Sequence, residues 1–133
     1  MYKTILLPID LADEESTRNA IPVASKLAGV FGSALCVMTV VPEDLTLGSK
    51  QDALARAQQR LRELSERELA AHRPRHVVAY GSAANEILRV AREIDADLVI
   101  ISSHRPRARD FLLGSTASEV VRHLHCSALV LRP

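Results

Sequence analysis

Gly114-Ser115-Thr116 stands directly before a segment in which Ala117, Val120, Val121 and Leu124 recur at helical spacing. A helix start carries backbone N–H groups without intrahelical partners at the positive end of the macrodipole, so an anion is favoured there. Glycine lets the backbone approach the anion, and two hydroxyls add donors. The chemistry this spacing predicts is phosphate binding. Just upstream, Ser102-Ser103-His104-Arg105 adds two more hydroxyls, an imidazole and a guanidinium, whose planar fork of donors suits phosphate. Arg107 and Arg109 lie in the same loop. Pro8-Ile9-Asp10, with its carboxylate, is distant in sequence and must be carried to the same place by the fold.

Each of these residues also has a purely structural reading. Asp10 fits a cap after the first strand, and Gly114-Ser115 fits a helix N-cap in which Ser115 bonds its own backbone. His104 fits a surface loop, and the three arginines fit a solvated charge run. No Gly-x-Ser-x-Gly elbow, Walker loop or dinucleotide fingerprint is present, so no catalytic residue is assigned. Asp10 with Ser115 or His104 would support at most slow hydrolysis of a bound phosphate compound or self-phosphorylation. His123, His125 and Cys126 spell metal ligands, but i and i+2 on a helix face different ways and no second pair lies elsewhere; no metal site is expected.

The elements that must position these residues are legible as apolar runs. Thr4 to Leu7, Ala34 to Val41, Arg75 to Tyr80, Leu98 to Ile101 and Ala128 to Leu131 read as strands, most of them continuously apolar as in strands covered on both faces. Pro8 is expected to end the first and Pro42 the second. Between them, Asp13 to Phe31, Gln51 to His72 and Ala84 to Ile94 carry apolar residues at offsets of three and four, as does the stretch after Thr116. Pro22 is expected to interrupt and kink the first helix. The charged face of the second reads as plain solvated surface. Strand and helix alternate throughout, which argues an α/β fold: one domain, residues 1–133, with a doubly wound, five-stranded parallel sheet and helices on both faces. In such sheets ligands sit beyond the carboxyl ends of the strands, where strand order reverses. With the first strand central and the fourth beside it, Pro8-Ile9-Asp10, Ser102-Ser103-His104 and Gly114-Ser115-Thr116 converge on one crevice. The terminal strand, apolar and at a sheet edge, predicts a homodimer through Ala128 to Leu131.

Composition sets bounds on the partners. Seventeen Lys and Arg against sixteen Asp and Glu give no overall attraction to nucleic acid or an anionic membrane surface. Aromatic residues make up 3% of the chain, so stacking platforms for single strands are scarce. No run reaches the ~18 apolar residues of a membrane span and no cleavage-site pattern follows the N-terminal apolar run, so a cytoplasmic location is expected. Cys36 and Cys126 sit in or beside apolar runs and read as reduced core thiols.

Taken together in order, Ile5-Leu6-Leu7-Pro8-Ile9-Asp10, Asp95-Ala96-Asp97-Leu98-Val99-Ile100-Ile101, Ser103-His104-Arg105-Pro106, Leu112-Leu113-Gly114-Ser115 and Val120-Val121-Arg122-His123 resemble the universal stress proteins of the single-domain bacterial type. That resemblance implies a Rossmann-like, adenine nucleotide α-hydrolase-like sheet in the order 3-2-1-4-5 and dimerisation through the last strand. In one subgroup it also implies ATP, with Mg²⁺, in the crevice. Ser102 and Arg105 stand where those ATP binders carry the first two glycines of Gly-x2-Gly-x9-Gly-Ser/Thr, and eight residues rather than nine separate Arg105 from Gly114. Ser-His-Arg-Pro with Leu-Leu-Gly-Ser resembles a variant of that motif. Carried over residue by residue, Pro8, Ile9 and Asp10 would contact adenine or ribose and Val40 would wall the adenine. Ile101, Ser102, Ser103, His104 and Arg105 would line ribose and phosphates, and Gly114, Ser115 and Thr116 would hold the phosphates. The implied role is a dimeric, nucleotide-dependent stress-response switch with weak or no hydrolysis and an unidentified protein partner. The alternative is a nucleotide-free dimeric interaction scaffold of the same fold.

Overall fold

The computed structural model describes residues 1–43, 48–103 and 113–132. Strands β1 (Thr4–Pro8), β2 (Ala34–Val41), β3 (Arg75–Tyr80), β4 (Leu98–Ser102) and β5 (Ser127–Leu131) alternate with helices α1 (Glu14–Phe31), α2 (Lys50–Glu68), α3 (Ala83–Glu93) and α4 (Ser115–His123). They form one five-stranded sheet in the order β3-β2-β1-β4-β5, every pair parallel. The α/β reading and its strand order hold.

The central strand explains why the apolar runs are continuous. Successive side chains of a strand face opposite ways, so a strand covered on both sides has no solvent face for polar residues. Ile5 and Leu7 enter one core with Ala24 and Ala28 of α1 and Leu61 of α2. Leu6 enters the other with Met38, with Ile87, Val90 and Ala91 of α3, and with Ala117 and Val120 of α4. Each fully buried aliphatic side chain of this kind contributes about 1.5–3 kcal/mol.

Helix ends follow local chemistry. Asp13 caps α1, its Oδ1 accepting from Ser16 N at 3.1 Å, and Gly32 closes that helix at φ 63°. Ser49 caps α2 through Asp52 N at 3.0 Å. Two details differ from the sequence reading. Pro22 sits inside α1 without ending it, because its neighbours Ala20, Ile21 and Ala24 are buried against the sheet and hold the helix on both sides of the lost bond. The second helix stops at Glu68, and Ala70–His72 continue as a 3₁₀ turn closed by Arg73 in the left-handed region, φ 46°.

Pro8 is the last residue of β1, and pairing passes beyond it: Ile9 N donates to Met38 O at 2.7 Å. Backbone donors alternate sides along a strand, so the donor that proline lacks would have faced β4. Registered pairs between β1 and β4 stop at Leu6 with Val99, and the missing donor breaks no ladder bond. The carboxyl ends of β1 and β4 are thus left unpaired with one another, which is where the fold opens. At the other end of the same strands, Asp97 accepts from Lys3 N at 2.8 Å and Thr4 N at 3.0 Å.

Cys36 is buried and its thiol is pushed up to about 11 by burial, against the opposing charge of Arg75. It is held as an unreactive thiol. Among the described residues no helix is long and apolar enough to cross a membrane.

Candidate functional site

A crevice of about 500 Å³ opens beyond the carboxyl ends of β1, β2 and β4, at the point where strand order reverses. Pro8, Ile9 and Asp10 leave β1 into it; Thr39, Val40, Val41 and Pro42 line it from β2 and its exit; Ile101 and Ser102 from β4; and Thr116 from the first turn of α4. These come from distant parts of the chain, and the sheet brings them together.

The Asp10 carboxylate is aimed by its own turn. Oδ1 accepts from Ala12 N at 2.9 Å, and the Asp10 carbonyl accepts from Asp13 N at 3.0 Å and from the Thr17 hydroxyl at 3.1 Å. Asp10 is exposed to solvent, so the other carboxylate oxygen is available to hydroxyls of a ligand. Ser102 Oγ makes a long contact of 3.4 Å to Ser16 O, which orients it between β4 and α1.

Gly114 is the N-cap of α4, at φ −64° and ψ 161°, and among the described residues no side chain caps this helix start. A glycine has no cap to offer, and Ser115 is already the first helical residue. The reading in which Ser115 caps its own backbone therefore does not describe this helix start, and among the described residues no side chain takes up the N–H groups of its first turn. Because φ −64° is open to every residue, backbone conformation does not require glycine here.

The other expected site residues are placed differently. Ser103 is 4% exposed and turned into the protein, where its Oγ accepts from Gly114 N at 2.9 Å and its own N–H donates to Leu131 O at 2.8 Å. It fixes α4 relative to β4 rather than lining the crevice. Ser115 is exposed at the start of α4 and outside the lining. His104 and Arg105 lie outside the described residues.

Several lining residues were not anticipated. Ala53, Arg56, Ala57 and Arg60 form one stripe of α2, at spacings of three and four, along the crevice wall. Ala53 and Ala57 are buried and small; Arg60 Nη2 donates to Leu11 O at 2.9 Å. The one sequence signal for them was a pair of arginines four apart, a repulsive spacing on an ordinary solvated face. A second hollow, about 520 Å³, lies on the flank between α1 and α2 and shares Leu11, Thr17 and Arg60 with the crevice. Its charged lining mixes Arg18 and Arg67 with Glu14, Glu63 and Glu68 and includes no strand end, so the convergent polar groups belong to the crevice.

The family comparison agrees with this arrangement. The model of the universal stress protein family matches residues 1–132. This chain belongs to the universal stress protein family. It is 33% identical to Universal stress protein G of Escherichia coli O157:H7, with 99% of this chain and 100% of that protein covered. Among solved structures, hypothetical protein MJ0577 matches with a TM-score of 0.81 at 21% identity, covering 100% of this chain and 97% of that one. A universal stress protein in complex with cAMP matches at 0.75 and 22% identity, covering 98% and 97%. These structural likenesses establish the fold.

Proposed function

We propose that this universal stress protein acts as one domain, residues 1–133, that binds ATP with Mg²⁺ in the crevice and works as a dimeric, nucleotide-dependent switch in the cytoplasmic stress response, with weak or no hydrolysis. The observation that carries the reading is the convergence of Pro8, Ile9, Asp10, Val40, Ile101, Ser102 and Thr116 on one cavity of about 500 Å³, within the range of about 300–1,000 Å³ usual for small-ligand sites. The residues suit the ligand's parts. Ile9, Val40, Val41 and Pro42 offer an apolar wall to a base, Asp10 faces ribose hydroxyls, and the uncapped start of α4 receives phosphates. A family member of the same fold solved with cAMP adds support for an adenine nucleotide. The one described hydroxyl–carboxylate pair of the lining, Ser16 on Asp13 at 2.6 Å, sits at the cap of α1, where the carboxylate is also engaged by Ser16 N, which favours holding the nucleotide over turning it over.

The test is gentle purification, acid release and chromatography of any co-purifying nucleotide, followed by calorimetric titration with ATP and Mg²⁺. Stoichiometric adenine nucleotide, and heat of binding that is lost in Gly114→Val, are expected. Absence of both would leave the nucleotide-free interaction scaffold as the better reading.

A further inference from the structure

Every arginine of α3 and α4 that sits within reach of a carboxylate on its own helix pairs with it. Arg89 bridges Glu86 at 2.9 Å and Glu93 at 2.6 Å, and Arg122 reaches Glu119 at 3.5 Å. Arg56 and Arg60 of α2 depart from this. Asp52 stands four residues before Arg56 and Glu63 three after Arg60, both ion-pair spacings, yet neither arginine forms an ion pair among the described residues. Instead both turn to the crevice, one helical turn apart, flanking the space left by Ala53 and Ala57. Like charges at i and i+4 cost stability, and a bound anion between them would relieve that cost.

Arg60 is fixed in place. Its Nη2 is anchored on the carbonyl of Leu11, the residue after Asp10 in the chain, which leaves the rest of its fork of donors for a ligand in the crevice that Asp10 also lines. Asp10 and Asp13 are the acidic side chains of the lining; Asp13 is committed to the start of α1 through Ser16. A carboxylate alone at this position selects free ribose hydroxyls, whereas a guanidinium beside it accommodates a phosphate on the ribose. The uncapped α4 start, represented in the crevice by Thr116, is a separate anion site on the other face of the sheet.

We propose that Arg56 and Arg60 form a second anion-binding arm of the crevice, so that its preferred ligand is an adenine nucleotide phosphorylated on its ribose as well as at its 5′ end. This rests on the crevice holding an adenine nucleotide. The 5′ phosphate lies at the start of α4 and the 2′ or 3′ phosphate between the two guanidinium groups, each a charge-assisted contact.

The experiment is calorimetric titration of the full chain, at one ionic strength, with AMP, adenosine 2′,5′-bisphosphate and adenosine 3′,5′-bisphosphate, and the same series with Arg56→Gln/Arg60→Gln. At least one bisphosphate is expected to bind about tenfold or more tightly than AMP, and the double variant, folded by circular dichroism, is expected to lose that gain. Arg56→Lys/Arg60→Lys, which keeps the charge but not the fork, should recover part of it. AMP or ATP binding with no gain from the added phosphate, or a gain that survives the glutamine variant, overturns this inference and leaves the nucleotide reading intact. No binding by any of the nucleotides overturns both.

Discussion

The hydroxyl of Ser103 accepts the Gly114 N–H at 2.9 Å across a span of 11 residues, and both partners are buried. The bond joins the end of β4 to the N-cap of α4, so this side chain ties the helix start to the sheet. Ser103→Ala leaves the Gly114 N–H without its acceptor. A stability loss of about 1–3 kcal/mol is expected, read by chemical denaturation, together with weaker ATP binding. Ser103→Thr keeps the acceptor and should retain much of the affinity. Unchanged ATP affinity in the alanine variant would show that the helix start is positioned by packing alone.

Asp97 ties the start of β4 to the start of β1 by accepting from Lys3 N and Thr4 N. Burial alone would raise its carboxyl, but these backbone donors outweigh it and hold the group below its ordinary value of 3.8. A carboxylate depressed by folding adds stability above its unfolded pKa, and that stability is lost as pH falls through the lower folded value. Asp97→Asn should therefore destabilise the protein at neutral pH by about 1–2 kcal/mol, and the gap between variant and parent should close below about pH 3.8. Denaturation curves from pH 7 to 3 check this; a gap independent of pH would assign the loss to packing.

β5 is the sheet's edge beyond β4, with Ala128 exposed and Leu131 O directed to β4 through Ser103 N. Alternation along the strand then directs the Ala128 N–H away from β4, towards an incoming strand. Ala128→Pro removes that donor without touching the β4 ladder. If the dimer forms through this edge, light scattering should show a monomer with unchanged circular dichroism; a dimer that persists would place the contact elsewhere.

The sheet was legible because strands covered on both faces leave an uninterrupted apolar signature, as in Leu98 to Ile101, and helices one sheet thick leave a periodic one. The crevice was legible where loops follow strands at the reversal of order, as for Pro8 to Asp10. Ser103 was not, since a serine after a buried strand reads the same whether it faces a ligand or its own backbone; only the alternation Ile101 in, Ser102 half out, Ser103 in decides it. Arg56 and Arg60 were hidden for a related reason. Helical periodicity separates the buried stripe of α2 from the rest, but the flank beside a crevice and the flank facing bulk water carry the same residue types. His76 was equally unreadable: on β3 its Nε2 is buried without a partner, and burial, with Arg62 opposed by Glu66, lowers its pKa.

The central position of β1 has a consequence for how the chain is made. β1 is synthesised before β2 and β4, and its link to β4 closes a loop whose ends, Thr4 and Asp97, are 93 positions apart. At about 5–20 residues per second that is an interval on the order of 5–20 s, during which Ile5, Leu6 and Leu7 have β2 on one side and an open edge on the other. The nascent chain therefore carries a fully apolar strand core as an unpaired template over that interval, and its yield in cells should depend on whatever shields that edge until β4 arrives.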